Sequence, residues 1–158
     1  MLTMKQYLID FFKFNKWANT KLLETVLQLP DKEESIKLFG HFITAQDKWL
    51  NRITHAVDDS QLNWTGPAYA PEELGARWIE SVDKWLSFLE GRSEESLEER
   101  VAFPRPKDGK QYTAMIRDVI LQINYHSIHH RAQLNRIIRL QGLKPPVTDY
   151  ILSAVKEA

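Results

Sequence analysis

Five histidines and no cysteine occur among the 158 residues of this chain, and three of the histidines fall where helical periodicity turns a side chain inward. In the run Asn124-Tyr125-His126-Ser127-Ile128-His129-His130-Arg131-Ala132-Gln133, His126 follows Ile123 by three, His130 follows His126 by four, and Leu134 follows His130 by four. Steps of three and four stack residues on one helical face, so two imidazoles interrupt an apolar stripe. A buried neutral imidazole with unsatisfied nitrogens costs free energy, so something must satisfy this pair. An i,i+4 histidine pair binds a divalent transition metal, with Zn–N near ~2.0–2.1 Å. Taken alone, the pair is equally well read as two histidines hydrogen-bonded to neighbours or turned to a helix end.

His41 supplies context from elsewhere in the chain. It lies three after Leu38, four before Ala45 and eight before Trp49, and so borders the inward face of a second helix. Facing helices of a bundle bring such residues together. Three histidines leave coordination positions open for water or substrate, the pattern of catalytic rather than structural sites. Zn²⁺, Ni²⁺, Fe²⁺ and Mn²⁺ all accept imidazole. His129, three after His126, is an alternative to His130, but the His126/His130 pair lies on the stripe that leads to Leu134. That leaves His129 as a neighbour of the site or partly exposed. His55, at the expected end of the second helix, reads as a C-terminal cation or a surface residue.

Other chemistries lack their residues. Without cysteine there is no thiol nucleophile, disulfide, iron–sulfur cluster or cysteine zinc finger. No glutamate precedes a histidine by three, as a di-iron bundle requires, and there is no His-Glu-x-x-His, phosphate loop or dinucleotide fingerprint. Lys+Arg and Asp+Glu both total 21, so there is no electrostatic footprint for a nucleic-acid partner. Residues 1–13 are interrupted by charge and lack the features of a secretory signal, and no run approaches the ~20 apolar residues of a membrane span. The expectation is a cytoplasmic protein with no membrane partner.

The elements that must hold these histidines can be read from the punctuation. Apolar residues from Tyr7 to Leu27 at steps of three and four predict a helix over 4–29, ended by Pro30. A second helix is expected from Glu33 to Ala56, followed by a loop over 57–70. A third should begin near Pro71, carry Leu74, Trp78, Val82, Trp85 and Leu89 inward, and stop at Gly91. Residues 91–112 read as an extended excursion, with a turn at Asp108-Gly109 that suits a short hairpin. The fourth helix should start after Thr113 as N-cap and run to about Gln141, and a short fifth is expected over Thr148–Lys156. The fold class is therefore all-α: one domain over 1–158, an up-down four-helix bundle with a short additional C-terminal helix.

The motifs resemble those of the DinB/YfiT-like superfamily of metal-binding four-helix bundles. Phe14-Asn15-Lys16-Trp17-Ala18-Asn19 is similar to its first-helix signature. Gly40-His41-Phe42 through Trp49-Leu50-Asn51-Arg52 is similar to its second-helix histidine followed by Trp and Arg. His126-Ser127-Ile128-His129-His130-Arg131-Ala132-Gln133 is similar to its His-x-x-His-His-Arg-Gly-Gln, with Ala132 where Gly is usual, and Pro145-Pro146-Val147-Thr148-Asp149-Tyr150 fits its close. The resemblance implies a metal triad of His41, His126 and His130, often a homodimer, and an activity of the thiol S-transferase or thiol-dependent isomerase type with a low-molecular-weight thiol as cosubstrate. A metal-dependent hydrolase and a non-catalytic metal-binding stress-response bundle are the alternatives. His129, Asn124, Arg52 and Arg131 are the further candidates for orienting a ligand or binding substrate. Arg52 lies eleven after His41, so an anion-binding role and a structural ion pair fit it equally. If the 57–70 and 91–112 segments cover the mouth of the site, Trp64, Tyr69 and Phe103 would shape substrate selectivity.

Overall fold

The computed structural model describes residues 2–56, 63–64, 66–104 and 108–155. It is mostly helical. Thr3 caps the first helix, α1 (Met4–Val26), its side chain accepting from the Gln6 N–H at 3.2 Å. The helix ends three residues before the expected boundary. Its last turn tightens, with Gln28 N–H bonded to Thr25 C=O and Leu29 N–H to Val26 C=O, because the residue before Pro30 is steered out of the helical region. α2 (Glu33–His55) carries Glu33 and Glu34 in its first turn and Arg52 and His55 in its last, the order that suits the helix dipole. α3 (Leu74–Glu90) begins after a turn at 71–73 and ends at Gly91.

The excursion before the last long helix is a hairpin. A single 3₁₀ turn (Glu95–Glu98) leads to β1 (Arg100–Pro104), which pairs antiparallel with β2 (Gln111–Met115) in the register Phe103 opposite Tyr112. Thr113 is therefore not a helix cap: it lies in β2, where its hydroxyl accepts from Arg100 at 3.1 Å. Strand pairing keeps the chain extended up to Met115, and α4 (Ile116–Leu140) starts directly from it. At its far end Gly142 takes φ +81, and Leu143 N–H bonds back to Ile138 C=O at 3.1 Å. That left-handed closure is open to glycine without strain. α5 is only Tyr150–Ala154, shorter than expected, and residues 156–158 lie outside the described part.

Four long helices enclose a main core around Trp78, Trp85, Phe12, Phe39 and Ile120, all fully buried, and Phe11, Phe14 and Ala18 of α1 form a smaller buried cluster beside it. Their order departs from a simple up-down bundle. α1 packs on α3 and α4, and α2 packs on the same two, so helices adjacent in sequence at each end stand diagonally. Side-chain pairs give the directions. Phe39 meets Trp78 while Gln46 C=O accepts from the Trp85 indole, so α2 and α3 run parallel. Asn15 meets Asn124 and Asn19 meets Ser127, so α1 and α4 are parallel too. Phe12 stacks on Trp85 and Lys16 pairs with Asp83, so α1 and α3 oppose each other. The physical reason lies in the α2–α3 connection. Its length, from Ala56 to Glu73, is enough to span the ~35 Å of α2 before α3 begins. Among the described residues no helix is long and apolar enough to cross a membrane.

Candidate metal centre

The antiparallel packing of α2 on α4 brings His41 to His126 and His130. The α1–α2 turn sets this register, since Asp31 and Gln141 exchange two hydrogen bonds at 3.0 and 2.6 Å. The His41 and His126 Nε2 atoms stand 3.3 Å apart, and those of His126 and His130 2.8 Å. The three rings meet edge to face. All three histidines are half-buried, and one ligand atom from each lies within 4.8 Å of the others.

The outer nitrogens fix the chemistry of the inner ones. His41 Nδ1 lies 2.6 Å from the backbone carbonyl of Trp64. A carbonyl only accepts, so in the neutral ring Nδ1 carries the proton and Nε2 the lone pair. His130 Nδ1 lies 2.6 Å from Gln133 Oε1, with the same consequence. Lone pairs crowded this closely are satisfied only by a shared proton or by a cation. A tetrahedral ion with ~2.0–2.1 Å bonds would set its ligand atoms roughly 3.3 Å apart, which is close to what these residues present. Burial, together with repulsion from His130, His41 and His129, pushes the His126 pKa down to about 4. Burial also lowers that of His130, against the opposing hydrogen bond to Gln133. Both rings are therefore neutral near pH 7, the form that ligates a metal.

A cleft of about 1270 Å³ opens beside His41. Gln133, Arg136 and Ile137 of α4 form one wall, and Gly66, Pro67, Ala68 and Tyr69 belong to another. Through His41 the triad adjoins a space large enough for a small molecule.

A family model described as the DinB superfamily matches residues 27–134, more than half of the chain, and that span contains all three histidines. The chain belongs to the DinB superfamily. No curated protein and no solved structure matches it.

This DinB-superfamily chain places its other candidate residues in different surroundings. Asn124 and Arg131 turn toward α1. Arg131 donates to Asn15 Oδ1 and Asn19 Oδ1, both at 2.9 Å, while Asn124 Oδ1 accepts from Asn15 at 2.7 Å. These four side chains and Ser127 are buried, and burial pushes the Arg131 pKa down to about 10. On a helix advancing ~100° per residue Asn124 and Arg131 sit about a third of a turn away from the histidines, so they lock α4 to α1 rather than face the site. Arg52 is also buried and stacks on Trp49 at 4.5 Å, with Trp64 and Phe103 nearby. Phe103 meets Trp49 at this end of α2 and takes no part in lining the cleft. Tyr69 does line it. His129 is exposed; it lies 3.4 Å from the Gln133 amide nitrogen and its ring meets that of His130 edge to face at 5.1 Å between centroids, so it neighbours the site without belonging to the converging triad. His55 is exposed at the end of α2. Residues 57–62 of the expected loop lie outside the described part.

Two partners of the histidines escaped the sequence reading. Gln133 carried a usable signal, being three residues beyond His130 and so on the adjoining face. The Trp64 carbonyl carried none, because every residue has one and only the loop's path aims it.

Proposed function

We propose that this DinB-superfamily protein binds a divalent metal through His41, His126 and His130, and that it uses the ion in a thiol S-transferase or thiol-dependent isomerase reaction. The observation that carries this reading is the convergence of three Nε2 atoms, two of them held as lone-pair donors, with His41 lining the adjoining cleft. A divalent ion held there would lower the pKa of a bound thiol and so supply a thiolate at neutral pH.

The chain's own residues define the rest. Having no cysteine, it cannot supply the thiol, which must enter as a small molecule. Trp64 and Gln133 hold two ligands in the required tautomer. Ile137 and Tyr69 give the cleft an apolar lining, and Arg136 places a guanidinium at its wall, where it can meet a substrate carboxylate. The reading is of a cytoplasmic protein that associates as a homodimer. The exposed Tyr7, Tyr125, Ile128 and Tyr150 supply an apolar face of the kind that association covers.

The test is to load the purified protein with Zn²⁺, Ni²⁺, Fe²⁺ or Mn²⁺ and mix it with a panel of low-molecular-weight thiols and monochlorobimane. Metal-dependent conjugation is expected with at least one thiol. Its absence with every thiol and metal, in protein shown to hold the ion, would leave metal binding without this activity.

A further inference from the structure

Gly40, Thr44 and Lys48 recur at steps of four and line one side of α2. The chain returning toward α3 is seated along that row by three different contacts. At Gly40 the Tyr69 ring lies so near that a Cβ would come within 2.8 Å of it. At Thr44 the backbone of Gly66 approaches until a Cβ would stand 2.0 Å from the hydroxyl oxygen, and Gly66 has φ +74. At Lys48 the buried ammonium lies 3.8 Å from the centre of the Trp64 ring. The same Trp64 presents its carbonyl to His41 Nδ1 at 2.6 Å.

We propose that Trp64 and Gly66–Tyr69 form a positioning strap. The Gly40–Thr44–Lys48 row seats it, and it sets the tautomer and ring orientation of His41 through the Trp64 carbonyl. An unpartnered imidazole samples both neutral tautomers, and the one protonated at Nε2 cannot ligate through that atom. A carbonyl fixed at one point removes that form. The seating needs no side chain at Gly40 and Gly66, a small one at Thr44, and a cation under the indole at Lys48. The consequence for metal affinity rests on the metal-binding reading above; the statement about His41 does not.

Two measurements on the full chain separate them. Long-range ¹H–¹⁵N NMR of the imidazoles at pH 8, without metal, should report His41 protonated at Nδ1 in the parent protein. In Gly66→Ala and in Trp64→Ala the signal should move toward a mixture with the Nε2-protonated form, while Trp64→Phe, which keeps an aromatic face over Lys48, should retain the parent pattern. Zn²⁺ affinity, measured by competition with a chromophoric chelator, should fall roughly 10–100-fold in the first two variants and recover in Trp64→Phe. Trp64→Ala lies outside the core and covers the case in which Gly66→Ala disturbs α2. An Nδ1-protonated His41 that persists in both variants overturns the proposal, as does an affinity loss without a tautomer change. A tautomer change in a protein whose parent form binds no Zn²⁺ supports the strap and removes the metal reading instead.

Discussion

Gln133 offers the most direct measure of how the protein tunes its ligands. Its Oε1 lies 2.6 Å from His130 Nδ1, one turn along α4. A hydrogen bond between neutral groups contributes about 0.5–1.5 kcal/mol, whereas one to a charged group contributes about 1.5–3. When His130 ligates a cation its Nδ1–H becomes more acidic, and the bond moves from the first class toward the second. The difference, about 1–1.5 kcal/mol, is the amount by which Gln133 couples to metal binding, and 1.4 kcal/mol corresponds to about tenfold in affinity. Gln133 is exposed, so water can replace part of what it does, and the effect belongs at the low end of the range for such partners. Gln133→Leu is therefore expected to weaken Zn²⁺ binding about tenfold, with little change in the melting temperature of the metal-free protein. The hydrogen bond opposes the burial that lowers the His130 pKa, so its loss lowers that pKa further and makes the ring a poorer ligand. Gln133→Glu puts an anionic acceptor at the same spot and should tighten binding. Chelator competition at fixed pH reads both. Parent affinity in Gln133→Leu, with no gain in Gln133→Glu, would refute the argument.

Three further outcomes are expected. The double variant His126→Ala/His130→Ala should hold no metal by elemental analysis, and full retention would remove the triad. In the metal-free protein burial depresses the His126 pKa to about 4 from the ordinary imidazole value of 6.5, so between those values the unfolded chain takes up a proton that the folded chain refuses. The stability contribution is complete above about pH 6.5 and is lost as pH falls through about 4; melting curves over that window should fall less steeply in His126→Phe, and an unchanged slope would contradict the assignment. Asn15→Leu removes an acceptor of the buried Arg131 guanidinium and the Asn15 donor to Asn124 Oδ1, and it should lower stability by about 2–4 kcal/mol in denaturant titrations; a loss under 0.5 kcal/mol would show that the Arg131 network contributes little.

The histidines and the helices were legible in the residues for one reason: both are encoded by local spacing. Steps of three and four located the four long helices, with α2 almost to the residue, and placed His126 and His130 on one face with His41 on another inward face. The hairpin at Asp108-Gly109 was legible from turn chemistry, but Thr113 was misread as a cap because strand pairing with Ala102 outweighs a local preference. Asn124 and Arg131 were placed at the site because they neighbour the histidines in sequence. A helix turns neighbours to different sides, and theirs faces α1.

Local spacing thus sufficed for which residues share a face, since helical geometry repeats identically wherever the helix lies. Which faces meet is a different matter. The parallel course of α2 and α3, the 3.3 Å approach of His41 to His126, and the Trp64 carbonyl on His41 all depend on how long connections fold back. No residue type marks those contacts. They arise when the burial of Trp78 and Trp85 selects one packing of four amphipathic helices, and the backbone polar groups are carried to wherever that packing leaves them.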